Sequence, residues 1–206
     1  MRTHHICVVL ALASICYSRG ANGQAAVRSA SVQAALHSSS IFNVRYEITF
    51  DMATARRRLV TVAMMFDAAD TMPIILSLPV WAPGSYEVSN FARWVSDFRA
   101  TSRGAHLEWD KVDPSTWRVH LATAGPVTIL FNYRADTLDM AMAWARPDFL
   151  FFNGANVLLY PKGRSLDFPA SVTVRTQPGW RVVTSMRPRL GQNCCEPQLD
   201  GALWKV

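Results

Sequence analysis

Histidine and cysteine are the residues most able to bind a metal or drive catalysis, and neither is arranged here to do so. The five histidines are His4, His5, His37, His106 and His120. A helical zinc hydrolase site needs His-Glu-x-x-His, which puts two imidazoles and a general base on one face. No such run occurs in the sequence. There is also no Gly-x-Ser-x-Gly elbow for a serine nucleophile and no glycine loop of the kind that cradles phosphate. Cys194 and Cys195 are adjacent, with no His or Cys at metal-ligand spacing beside them. Neighbouring cysteines bridge each other only with strain, so a bridge elsewhere and two free thiols stand as equal alternatives. Among the 15 acidic residues no spacing singles out a catalytic pair. The sequence assigns no catalytic residue and no metal ligand to this chain.

The elements that would position any site begin after an export signal. Arg2, His4 and His5 precede an apolar run from Ile6 to Tyr17, and small and polar residues follow from Ser18 to Ala25. This three-part pattern is a secretory signal peptide over residues 1–25, cleaved after Gly23 or Ala25. The apolar run is shorter than the about 20 residues of a membrane span, and no later segment is apolar enough. Cys16 lies inside the run rather than after it, which disfavours a lipoprotein anchor. The expected location is periplasmic or secreted. Residues 26–40 are small and polar and read as a linker.

The chain has 206 residues, half of them hydrophobic, with a formal net charge of +6. That is enough apolar material for one core, and a charged fraction of 17% argues against disorder. Loss of Arg2 and Arg19 with the signal lowers the charge by two. The remaining surplus is scattered, apart from Arg56, Arg57 and Arg58, which read as a solvated turn. No nucleic-acid partner is expected.

From Phe42 the hydrophobic period becomes two. Phe42, Val44, Tyr46, Ile48 and Phe50 alternate with polar residues, the mark of a half-buried strand. Leu59–Phe66 follows after a short polar turn and pairs with it as a hairpin. Met72–Val80 reads as a third strand, ended by Pro79, Pro83 and Gly84. Phe91, Trp94, Val95 and Phe98 have helical spacing, placing a short helix over Val88–Val95. Further strands are expected at Leu107–Asp110, Thr116–Leu121, Val127–Tyr133, Phe149–Phe152, Val157–Tyr160, Val172–Arg175 and Arg181–Thr184; Met140–Trp144 is strand or loop. Asn153-Gly154 reads as the turn between two of these strands. With roughly ten short strands and one short helix, the fold class is all-β, a mostly antiparallel β-sandwich or open barrel over residues 41–186. Residues 187–206 read as an irregular tail.

The sharpest local feature is Leu78–Ala100, LPVWAPGSYEVSNFARWVSDFRA. Its plain reading is a strand, a turn and an aromatic-rich core segment, in which Trp81, Tyr86, Phe91, Trp94 and Phe98 pack. The same segment resembles the glycyl aminopeptidase family of zinc metallopeptidases, the sixty-first metallopeptidase family. The family's Leu-Pro-x-Trp-x-Pro-Gly-Ser-Tyr stretch is matched by Leu78, Pro79, Trp81, Pro83, Gly84, Ser85 and Tyr86. Phe91, Ala92 and Arg93 match the end of its next motif, while Val88, Ser89 and Asn90 depart from the start of it. Val95, Phe98, Ala100, Trp117, Phe152-Asn153-Gly154, Leu159-Tyr160-Pro161 and Trp180 fit later landmarks in order, so the likeness covers about residues 42–186.

The resemblance implies a β-rich N-terminal domain ahead of a thermolysin-like catalytic domain that carries the zinc. The full-length enzyme would release N-terminal Gly or Ala from peptides. The chain stops at Val206, about where that catalytic domain is expected to begin, so the family's zinc ligands have no positions here. The expected partners are the catalytic domain and a peptide substrate, with Tyr86 and Arg93 as the candidates for lining the substrate cleft. The alternative is a stand-alone exported sandwich that binds peptide or protein and has no enzymatic activity. A carbohydrate-binding sandwich ranks last.

Overall fold

The computed structural model describes residues 38–82, 87–138, 143–188 and 202–205. The expected signal peptide, most of the linker, Pro83 to Tyr86 and the Cys194-Cys195 pair lie outside the described residues.

The first hairpin forms as the alternation requires from Val44 onward; Phe42, expected on the same face, is exposed because the register shifts between Phe42 and Arg45. Strand β1 (Ile41–Phe50) buries Val44, Tyr46, Ile48 and Phe50 and turns its polar residues outward. Strand β2 (Leu59–Ala68) pairs with it antiparallel. The link between them, expected as a plain polar turn, contains a helical turn, α1 (Met52–Arg56). Asp51 caps it by accepting from the Thr54 amide at 2.8 Å. Arg56, Arg57 and Arg58 are exposed there, as a solvated turn predicts. Arg58 has a positive φ of 52°.

Strand β3 (Ile74–Ser77) is shorter than the expected Met72–Val80, and Val80 is exposed. The expected helix over Val88–Val95 contracts to a 3-10 turn at Phe91–Trp94, and the chain passes directly into β4 (Val95–Ser102). β5 (Ala105–His106), β6 (Trp109–Asp113), β7 (Thr116–Val119) and β8 (Gly125–Arg134) follow. Gly125 opens β8 at φ +124°, where a Cβ would also meet the Arg103 guanidinium at 2.9 Å. Next come β9 (Trp144–Arg146), β10 (Phe149–Phe151), α2 (Gly154–Val157), β11 (Tyr160–Pro161) and β12 (Ala170–Thr176). Asn153-Gly154 is therefore not a hairpin turn. Asn153 caps the single turn α2 instead, because its side chain accepts from the Ala155 amide at 3.0 Å. The Arg181–Thr184 run, expected as a strand, joins no sheet; Val183 is 93% exposed. The tail, expected to be irregular, holds β13 (Arg187–Pro188) and β14 (Ala202–Lys205).

These strands make an open all-β sandwich. One sheet has eight strands in the order β13-β14-β12-β1-β2-β8-β4-β5, a second has four in the order β11-β3-β7-β6, and β9 and β10 form a separate pair. The large sheet is antiparallel except that β12 lies parallel to β1, Val44 opposite Ala170 through Phe50 opposite Thr176. The core lies between the sheets, with Ile74, Leu76, Trp117 and Val119 facing the inner residues of β1, β2 and β8. Phe98 of β4 stacks on Trp117 at 5.1 Å and meets Trp109 edge-on at 4.9 Å, so β6 and β7 close down on one end of the large sheet. Tyr46 reaches across the core and donates its hydroxyl to the Leu159 carbonyl; burial pushes its pKa up.

The fold starts before the expected boundary at residue 41. Ser38 and Ser39 are fully buried. The Ile75 amide donates to Ser38 Oγ at 3.1 Å, and Arg164 donates twice to the Ser38 carbonyl, at 3.1 and 2.6 Å. The end of the expected linker is thus part of the sandwich.

Candidate functional site

On either side of Pro83–Tyr86, the described residues of the Leu78–Ala100 motif are clamped together ahead of β4. The amides of Ser89 and Asn90 both donate to the Val80 carbonyl, at 2.8 and 3.1 Å. Asn90 takes a left-handed φ of 47°, turning the chain into the 3-10 turn. Phe91 and Ala92 are buried and anchor that turn, and Phe98 packs into the core. Trp81 is 48% exposed and so lies outside the core, where the plain reading expected it. Arg93 is exposed, with its guanidinium carbon 5.0 Å from the centre of the Trp94 ring. Trp81 and Arg93 stand in this loop region; Pro83, Gly84, Ser85 and Tyr86 lie outside the described residues.

A larger feature lies at the end of the sandwich away from Trp117. The large sheet has more strands than its partner, and β1 and β12 are covered at one end by irregular chain. Between that chain and the sheet runs an apolar groove of about 940 Å³. Phe50, Val172 and Val174 line its floor, and the Phe149–Gly154 and Gly179–Met186 segments its walls. Trp180 meets Phe50 edge-on at 5.2 Å and closes one side. Phe149 and Phe151, 45% and 43% exposed, stand on the other. Large apolar concavities commonly bind a ligand or another protein. Reading the sequence missed it, although its signal was present in the Phe149–Phe152 run and in Trp180: a short apolar run reads as a strand whether or not its side chains end up buried.

Two clusters of charged groups lie on the small sheet. Arg118 donates to both oxygens of Asp110, at 3.0 and 2.6 Å, and His120 Nε2 lies 2.9 Å from Asp110 Oδ1. The hydrogen bonds from Arg118 and then His120 hold the Asp110 pKa at about 2. Lys162 donates to Asp113 Oδ2 at 2.8 Å and to Thr116 Oγ1 at 3.0 Å, while Ser115 donates to Asp113 Oδ1 through its amide and hydroxyl. Burial raises the Asp113 pKa, but the bonds from Lys162, Ser115 and Thr116 outweigh it and leave the carboxyl below its ordinary range. Both clusters are structural ion pairs on hairpin β6–β7, away from the groove.

Their depressed pKa values fix a pH dependence. The unfolded carboxyls titrate near about 4. The folded chain binds fewer protons, so this contribution is complete above that pH and is lost as pH falls through the folded values. The melting temperature is expected to fall as pH drops below about 4. Lys162→Met is expected to be less stable at neutral pH and to converge on the parent under acid, as thermal melts at several pH values would show. Parallel curves for the two proteins would remove Lys162 as the cause.

Among the described residues no group of three or more His, Cys, Asp or Glu is placed to hold a metal ion. Among the same residues no helix is long and apolar enough to cross a membrane. The fold and the groove together define an all-β module with a concavity at one end of its large sheet. The peptidase M61 N-terminal domain model matches residues 45–198. The chain belongs to this family, the N-terminal domain of the M61 peptidases. Among solved structures it is similar to an aminopeptidase N family protein from Idiomarina loihiensis, at 24% identity and a TM-score of 0.67, over 79% of this chain and 27% of that one. An M1 zinc metallopeptidase from Deinococcus radiodurans matches at 14% identity and a TM-score of 0.42, over 82% of this chain and 39% of that one. This chain thus spans about a quarter of the length of the first. No curated protein sequence matches it.

Proposed function

We propose that this chain is the N-terminal β-domain of an exported zinc aminopeptidase of the glycyl aminopeptidase type. It packs on a catalytic domain that carries the zinc and bounds that domain's substrate cleft. The full-length enzyme would release N-terminal Gly or Ala from peptides. One observation carries the docking role: family membership over residues 45–198 coincides with a largely apolar groove whose half-exposed phenylalanines suit a domain interface. Clefts commonly form where two domains meet, and a wall at one end of a cleft favours exopeptidase over endopeptidase action. Tyr86 and Arg93 are the residues to test at that wall, Arg93 being the one among the described residues.

Reading the coding sequence past the Val206 codon is the first test. An open frame encoding His-Glu-x-x-His with a later Glu ligand is expected, and chelator-sensitive release of Gly and Ala from peptides should follow for the joined protein. A stop with no such motif nearby would instead favour the stand-alone binding module, with the groove as its binding face.

A further inference from the structure

Asn153 is followed by Gly154, and in an Asn-Gly pair the backbone nitrogen of the second residue attacks the asparagine side chain most readily, because glycine has no side chain in the way. In the folded chain this geometry is withheld. Asn153 sits at φ −91°, ψ 143°. That extended ψ turns the Gly154 nitrogen away from the Asn153 side-chain carbonyl carbon, and ring closure needs ψ to leave the extended region. Two hydrogen bonds hold ψ where it is. The Asn153 side-chain oxygen accepts from the Ala155 amide at 3.0 Å, and the Asn153 amide donates to Asn156 Oδ1 at 2.9 Å. Asn156 is itself fully buried, so the acceptor is fixed.

We propose that Asn153 is a deamidation site that the reciprocal Asn153–Asn156 bonds keep latent. When α2 opens, the Gly154 nitrogen loses its proton and attacks the Asn153 side-chain carbonyl carbon. The new C–N bond closes a five-membered succinimide, and the side-chain nitrogen leaves as ammonia. Water then opens the ring at either carbonyl, giving aspartate or isoaspartate. The two products differ physically. Aspartate caps a helix as well as asparagine does, so that product keeps α2. Isoaspartate adds a methylene to the backbone and moves the acceptor out of register with the Ala155 and Asn156 amides. Asn153 and Gly154 both line the apolar groove, so the isoaspartate product alters the groove wall and the aspartate product preserves it.

The test uses the whole chain. Folded protein and urea-unfolded protein are aged side by side at mildly alkaline pH and digested with trypsin. The peptide Ala135–Lys162 holds two asparagines, Asn153 and Asn156, which fragment ions separate. Conversion at Asn153 is expected in both samples, slower by about tenfold or more in the folded one because opening must precede attack. Gly154→Ala is expected to suppress it in both; the added Cβ would meet only the flexible end of Leu158, at 3.3 Å. Asn153→Asp is expected to keep the parent melting temperature, while the isolated isoaspartate form melts lower. Equal rates in folded and unfolded protein, or no product at Asn153 in either, would overturn the proposal.

Discussion

Trp117→Ala is expected to cost about 3–5 kcal/mol of stability, the range for removing a large aromatic from a packed core. Small domains are stable by only about 5–15 kcal/mol, so the variant should lie near the edge of unfolding at room temperature. The magnitude follows from what Trp117 touches. It is 1% exposed. The Phe98 ring stacks on it with planes 6° apart, which joins the small sheet to the large one. The Lys111 ammonium sits 4.0 Å from its ring centre. Truncation opens a cavity and removes both the ring stack and the cation contact. Trp109 is the internal comparison, since it meets the same Phe98 from a site that is 40% exposed. Trp109→Ala should cost about 1 kcal/mol, mostly the ring contact. Denaturant unfolding of the two variants measures the difference. Equal losses would mean that the aromatic cluster does not tie the sheets together.

The second large effect concerns the groove. Phe151→Asp is expected to weaken association with the catalytic domain by about 30-fold or more, the loss typical of an aromatic anchor worth about 2 kcal/mol or more at an interface. The fold should survive, because Phe151 is already 43% exposed and stands on the groove wall rather than in the core. Phe149 is a poorer choice, since it also packs on Trp144 at 5.7 Å. Val112→Asp, on the open edge of the small sheet, is the control and should bind as the parent does. Titration calorimetry against the separate catalytic domain would decide. If Phe151→Asp binds normally while the melting temperature is unchanged, the groove is not the docking face, and the clamped loop with Trp81 becomes the surface to test.

The strands that were legible in the sequence share a reason. A strand half-buried in a sandwich must alternate, and alternation is local, so β1, β7 and β8 were visible as runs of period two. The Leu78–Ala100 motif was equally local, and it pointed to the family that the domain match shows. The motif did not reveal which of its aromatics are buried. Phe91 and Phe98 pack while Trp81 stands exposed, because burial depends on what the clamped loop lies against.

Composition and period by themselves determined that this chain folds as β-structure around one core. Where the strands go was decided by pairing across long stretches of chain. β12 lies parallel to β1 although more than a hundred residues separate them, and nothing in either run encodes its neighbour. Ser38 and Ser39 looked like linker because they are small and polar; they are held in the fold because residues distant in sequence supply their hydrogen bonds, Ile75 and Arg164 to Ser38 and the Pro73 carbonyl to the Ser39 amide. Asn153-Gly154 looked like a hairpin turn because both residues favour turns, and the buried amide of Asn156 made it a cap instead. The groove belongs to neither reading. It exists because one sheet outgrows the other and leaves apolar floor for loops to cover, and that mismatch appears only once both sheets are assembled.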